Sequence, residues 1–96
     1  PNISFHIGEK YINHLLKEPI INNDLVKLLA AYNGGPGNLK KWLKNINYQN
    51  DPILLIETIP SRETRSYLKA VLKNLFVYRI KYKQKNLAHS KLASGR

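Results

Sequence analysis

Asp51-Pro52-Ile53-Leu54-Leu55-Ile56-Glu57-Thr58-Ile59-Pro60-Ser61-Arg62-Glu63-Thr64-Arg65-Ser66-Tyr67 contains two helix starts in succession. The Asp51 carboxylate suits an N-cap, where it accepts free N–H groups of a first turn. Pro52 suits the first helical position, where its missing N–H costs nothing. A turn or two of helix through Ile59 is therefore expected. Pro60 breaks the chain, and Ser61 can cap the longest helix of the sequence. On that helix Thr64, Tyr67, Leu68, Val71, Leu72, Leu75, Tyr78 and Tyr82 share one stripe, the spacing of an amphipathic helix. Arg62, Arg65, Lys69 and Lys73 lie largely beside or opposite it.

Helical periodicity also holds upstream. Ile3, Ile7, Tyr11, Ile12, Leu15 and Leu16 recur at helical spacing, and the pattern stops before Pro19. Asn22 or Asn23 is expected to cap a second helix, with Asp24 in its first turn and Leu25, Leu28, Leu29 and Tyr32 as its apolar face. Gly34-Gly35-Pro36-Gly37 ends it, and a short third helix carries Leu39, Trp42, Leu43 and Ile46. From Lys85 onward no pattern is sustained, which reads as a frayed or disordered basic tail. No alternating strand-like segment, internal repeat or linker competes. The expectation is an all-α domain of about five helices over residues 1–84, followed by a tail over 85–96.

The chain has 96 residues, 43% of them apolar, which suits one small domain with a core and rules out wholesale disorder. No apolar run approaches the roughly 18–20 residues of a membrane span. The start, Pro1-Asn2-Ile3-Ser4-Phe5, lacks the basic and apolar blocks of a signal peptide and does not begin with Met. A processed product or part of a longer protein is expected. The absence of cysteine excludes disulfides, thiolate metal sites and cysteine nucleophiles. His6, His14 and His89 share no metal-ligand spacing, and the glycine cluster lacks the Lys-Ser or Lys-Thr of a phosphate-binding loop, so neither metal nor cofactor is expected.

Sixteen basic residues against six acidic ones give a net charge of +10, which favours anionic partners. The excess is uneven: Arg79, Lys81, Lys83, Lys85, Lys91 and Arg96 face no acid, leaving ten basic and six acidic groups, a net +4, in the first 78 residues. Lys, Asn and Ile number 12, 11 and 10, the bias of A+T-rich codons, and this weakens a nucleic-acid reading of the charge.

Two segments carry chemistry. In Ala30-Ala31-Tyr32-Asn33-Gly34-Gly35-Pro36-Gly37 an aromatic ring and an amide stand at a helix end beside a glycine turn. A ring offers a stacking plane and an amide offers donors and an acceptor, and sugar rings use both. The same spacing also describes a plain helix end with Tyr32 in the core. In the second segment, Glu57 follows four apolar residues, a costly place for a charge without a partner. Glu63 suits the helix dipole, and Arg65 is placed to pair with a carboxylate. Ordinary surface charges at a capped helix start account for this segment equally well.

Together the two segments resemble the catalytic domain of soluble lytic murein transglycosylases, which is similar to goose-type lysozyme. The family shows an A-Y-N-(A/G)-G-P-G turn followed by basic residues and a Trp, here Ala31 to Gly37 with Lys40, Lys41 and Trp42. Its later stretch, D-P-x-x-x-I-E-x-I-P-x-x-E-T-R-x-Y-(V/L)-x-x-V-L-x-N, is matched from Asp51 to Asn74, with Val77-Tyr78-Arg79 following. Pro1-Asn2-Ile3 and Ile7-Gly8 look like the family's N-I-x-x-G segment, so the resemblance covers about residues 1–80.

The resemblance implies the C-terminal half of a lysozyme-like helical domain. It also implies a chemistry: non-hydrolytic cleavage of the β-1,4 bond between N-acetylmuramic acid and N-acetylglucosamine in peptidoglycan, leaving 1,6-anhydro ends. One family Glu acts as general acid and then base while the sugar's own 6-hydroxyl attacks, unlike glycosidases that use two carboxylates. That Glu precedes a Ser, upstream of a G-L-M-Q-like segment. None of Glu9, Glu18, Glu57 and Glu63 is followed by Ser, so the family acid falls upstream of Pro1 and no catalytic residue is assigned here. The expected substrate-binding residues are Tyr32 and Asn33 lining the glycan groove, Glu57 at the groove, and Tyr67 or Tyr78 flanking the acid. Gly34 lies within the family's Ala/Gly variation, and Ser61 replaces the aromatic or apolar residue usual after I-P. The implied partners are peptidoglycan strands and the missing N-terminal half, at the cell envelope. A half-domain that is inactive alone is thus expected, with a non-enzymatic peptidoglycan-binding remnant of a split gene as the alternative and a small basic nucleic-acid binder as a distant third.

Overall fold

A computed structural model describes the backbone of residues 5–93 and the side chains of residues 8–90. The expected contribution of Ile3 and of the Pro1-Asn2-Ile3 segment lies outside the described residues. Five helices and no strand occur among them: α1 Phe5–Leu16, α2 Leu25–Gly34, α3 Pro36–Asn45, α4 Pro52–Thr58 and α5 Arg62–Ala93.

The central element is α2, which packs against α1, α3 and α5, while α4 packs on α5. Its cap differs from the expected one. Asn22 and Asn23 take left-handed φ angles of 48° and 58°, which asparagine tolerates better than most residues, and so form the turn before the helix. Asp24 is the cap itself, its carboxylate accepting the N–H of Lys27 at 3.0 Å. The buried face is also rotated from the expected one. Val26, Ala30 and Ala31 are buried, Leu28, Leu29 and Tyr32 are half-buried, and Leu25 is exposed. Contact on several sides favours small side chains, and the two alanines let neighbouring helices approach.

Gly35 alone joins α2 to α3. Its N–H donates to the Ala31 carbonyl at 2.8 Å and its carbonyl accepts from Leu39 N–H at 3.0 Å. Both bonds require φ 91° and ψ 146° at this residue, a region nearly closed to residues with a Cβ. Pro36 then starts α3 at a position where no N–H is needed.

The two starts in residues 51–67 form as expected. Asp51 accepts the N–H groups of Ile53 and Leu54 at 3.0 and 3.3 Å, and Ser61 Oγ accepts that of Thr64 at 3.2 Å. Leu15, Ile21, Val26, Ala30, Ala31, Leu39, Leu55, Ile56, Ile59 and Leu68 make one core. Among the described residues Arg65 pairs with no carboxylate: its Nη1 donates to the carbonyls of Ile59 and Pro60 at 2.7 and 3.2 Å, tying the break between α4 and α5 to the first turn of α5.

The last helix extends further than the apolar pattern suggests. Helix continues through 85–93, where a frayed or disordered tail was expected. No Gly or Pro lies between Pro60 and Gly95, and Lys, Gln, Leu and Ala favour helix without needing a packed face. Only the first part of α5 meets the core. Thr64 and Leu68 are buried and Val71 and Leu72 half-buried, but Leu75, Phe76, Tyr78, Ile80, Tyr82 and Leu87 are exposed. The projecting half accounts for a radius of gyration of 16.9 Å and a longest dimension of 56 Å, against about 12–13 Å for the radius of a compact chain of this length.

Candidate functional site

Side chains from three helices converge beside α2. The ring of Tyr32, in the last turn of α2, lies 5.7 Å from that of Tyr11 on α1, tilted by 49°. It also stacks at 6.5 Å and 17° with Tyr67 of α5. Tyr32 and Tyr67, with Ile12, Leu28 and Leu29, line an open hollow of about 230 Å³. Burial, and secondarily the neighbouring Tyr32 phenol, push the Tyr67 phenol above its ordinary value of 10.0, so it remains a neutral donor well into the alkaline range.

The geometry rests on the helix junction. Thr64, one turn before Tyr67, is buried, and its hydroxyl donates to Asn33 Oδ1 at 2.8 Å, linking α5 to the end of α2. Next to it Gly34 leaves room for the Trp42 indole. A Cβ at Gly34 would stand 2.6 Å from Trp42 Cη2 and 3.0 Å from Thr64 Oγ1. The glycine turn therefore bends the chain and also admits the indole and hydroxyl that hold the two motifs in register.

Of the five expected site residues, Tyr32 and Tyr67 come together at the hollow, while Asn33 is not part of its lining and bonds to Thr64. Glu57 lies on the surface, paired to Lys69 at 3.0 Å with both side chains 55% exposed, which resolves the cost of a charge at that position. Tyr78 is exposed and stacks on Tyr82 at 6.2 Å, eleven residues and about 16 Å of helix beyond Tyr67. Sequence reasoning gave no role to Tyr11 or Thr64. Both stood on recognised apolar stripes, but periodicity alone does not say which stripe residue faces a cleft.

No carboxylate lines the hollow. Asp24 and Asp51 cap helices, Glu57 pairs with Lys69, Glu9 and Glu63 are exposed, and Glu18 is half-buried in the turn after α1. Among the described residues no three His, Asp or Glu side chains gather into a metal-binding group, and no helix is long and apolar enough to cross a membrane. The arrangement offers stacking planes, phenol hydroxyls and one amide, which suits holding a neutral, ring-bearing, hydrogen-bonding ligand.

Comparison with known proteins adds a relationship. The family model for the transglycosylase SLT domain matches residues 1–54. The soluble lytic murein transglycosylases of Salmonella typhimurium (strain LT2) and Escherichia coli (strain K12) are each 36% identical over 72 residues, covering 75% of this chain. That match covers 11% of each relative, so the chain spans about a tenth of the length of the curated relatives it matches. No solved structure matches the chain.

Proposed function

The chain belongs to the transglycosylase SLT domain family, and from that premise we propose that it forms the glycan-binding C-terminal part of a peptidoglycan-cleaving lytic transglycosylase at the cell envelope. One observation carries this: Tyr32 and Tyr67, from two motifs far apart in sequence, meet at a single hollow, and the Asn33–Thr64 hydrogen bond joins the same two motifs. The proposed reaction is the non-hydrolytic cleavage of the MurNAc–GlcNAc bond, with the sugar's 6-hydroxyl as nucleophile and 1,6-anhydro ends as products.

Such chemistry needs one carboxyl group within hydrogen-bond reach of the glycosidic oxygen, first as acid and then as base. Among the described residues no carboxylate lines the hollow. In this proposal the acid comes from a segment preceding Pro1, and the 96 residues alone bind glycan without cleaving it. Tyr32 and Tyr67 supply the stacking face and hydroxyl groups, and Asn33 supplies the amide. Glu57, paired with Lys69, and Tyr78, stacked on Tyr82, lie away from the hollow and carry no part of this binding.

Incubation with purified peptidoglycan sacculi tests both halves of the proposal. The chain should co-sediment with the sacculi, and mass spectrometry should detect no release of 1,6-anhydro fragments. Release of such fragments would overturn the assignment of the acid to another segment, and failure to co-sediment would overturn the glycan assignment. The acid-free basic stretch of α5 supports a second reading, in which an anionic polymer, nucleic acid included, is held electrostatically. Binding that falls steeply with salt yet survives Tyr32→Ala and Asn33→Ala would favour it.

A further inference from the structure

Among the described residues Thr64 is the buried polar side chain, 1% exposed. A helical threonine commonly turns its hydroxyl onto a carbonyl of its own preceding turn. Here the hydroxyl instead crosses to another helix and donates to Asn33 Oδ1 at 2.8 Å. A primary amide carries its acceptor oxygen and its donor nitrogen on opposite branches. With Oδ1 facing Thr64, Nδ2 is directed away from that contact, and its two N–H groups have no protein partner among the described residues. Asn33 is only half-buried, and Tyr32, the residue before it, lines the hollow.

Resting on the glycan-binding proposal above, we propose that Thr64 is a positioning residue: it holds the Asn33 amide so that Nδ2 donates to the carbonyl oxygen of an N-acetyl group on the bound sugar. A donor with no acceptor function of its own toward the ligand selects a strong neutral acceptor, and an amide carbonyl meets that need better than a hydroxyl. The Tyr32 and Tyr67 rings line the hollow, suited to a sugar ring and an acetyl methyl. Gly34 belongs to the same device. A Cβ there would press on the Thr64 hydroxyl as well as on Trp42.

Two neutral β-1,4-linked probes differ at the relevant group. The N-acetylglucosamine pentamer carries acetamido groups where the glucose pentamer carries hydroxyls. Calorimetry on the 96-residue chain should show preference for the acetylated probe. Thr64→Val should weaken that binding roughly five- to tenfold, the effect of misplacing one hydrogen bond, while weak binding of the glucose pentamer stays unchanged. Thr64→Ser, which keeps the hydroxyl, should restore the preference. An equal loss for both probes would reduce Thr64 to a packing residue and overturn the proposal, as would an unchanged preference. Should Thr64→Val fail to fold, Thr64→Ala removes the hydroxyl without a second methyl in its place, and the same selective loss is expected. Wild-type chain that binds neither probe, nor sacculi, would remove the glycan assignment itself. Binding to sacculi without preference between the probes would remove only the N-acetyl inference.

Discussion

Gly34 and Gly35 are adjacent and needed for different reasons. At Gly35 a Cβ would meet nothing within 4 Å, so the cost of Gly35→Ala lies in backbone strain at φ 91°, on the order of 1–3 kcal/mol. At Gly34 the backbone is helical and alanine would ordinarily help, yet its Cβ would collide with a rigid indole at 2.6 Å. Overpacking of this kind costs about 1–3 kcal/mol. Both variants should therefore lower the denaturation midpoint, and Trp42→Leu should relieve the Gly34→Ala loss and leave the Gly35→Ala loss. A Gly34→Ala protein as stable as the parent would contradict the packing shown. Tyr67 offers a pH test. Its phenol is raised above 10.0 in the fold, so the folded state holds its proton more tightly than the unfolded one. That contribution to stability is present below pH 10 and is lost as pH rises through the elevated folded value. In an ultraviolet titration Tyr67→Phe should remove the phenol that ionises late, and no change in the alkaline end of the curve would count against the cluster. Much of this scale could be read from the sequence: Tyr32, Asn33 and Tyr67 stood out by motif. The Thr64–Asn33 bond and the Trp42 contact at Gly34 could not, because both depend on how α2, α3 and α5 cross.

At the scale of elements, caps and breaks were the most legible features, because they depend on neighbouring residues alone. Asp51-Pro52 and Ser61 behave as their local chemistry dictates. Where two asparagines and an aspartate compete in succession, the left-handed turn at Asn22 and Asn23 moved the cap to Asp24. The face of α2 was misplaced for a related reason: periodicity finds a stripe, while a central helix buries several sides and prefers alanine where partners approach. The long helix α5 has two regimes that a stripe does not distinguish. Leu68→Ala should cost about 2–5 kcal/mol, since Leu68 is fully buried. Leu75→Ala, on the same stripe but 41% exposed, should cost less than about 1 kcal/mol. Urea denaturation of the two variants distinguishes them, and equal losses would mean the projecting half is packed. Deleting 85–96 should reduce far-ultraviolet helical signal and leave the unfolding midpoint in place, whereas a disordered tail would leave the signal per molecule unchanged.

For the whole molecule, shape and charge set the behaviour in solution. The projecting half of α5 presents Leu75, Phe76, Tyr78, Ile80, Tyr82 and Leu87 to solvent, among lysines and arginines without a nearby acid. Apolar exposure of this extent favours association, opposed by like charges that salt screens. Sedimentation velocity should show self-association that grows with protein concentration and with salt. A monomer with a concentration-independent thermal transition across the same range would contradict this. Fold class was legible at this scale because every segment had helical period. The extended shape was not, because a sequence stripe does not reveal whether a partner covers it.

The central claim is that Tyr32, Asn33 and Tyr67 form a glycan-binding surface. Amide NMR of the labelled chain, titrated with peptidoglycan glycan strands freed of their peptides, tests it most directly. Shifts should centre on residues 31–34 and 64–67, extend to Tyr11, persist at high salt and vanish in Tyr32→Ala. Shifts confined to 79–91 and erased by salt would contradict the claim and leave the basic helix as the binding element.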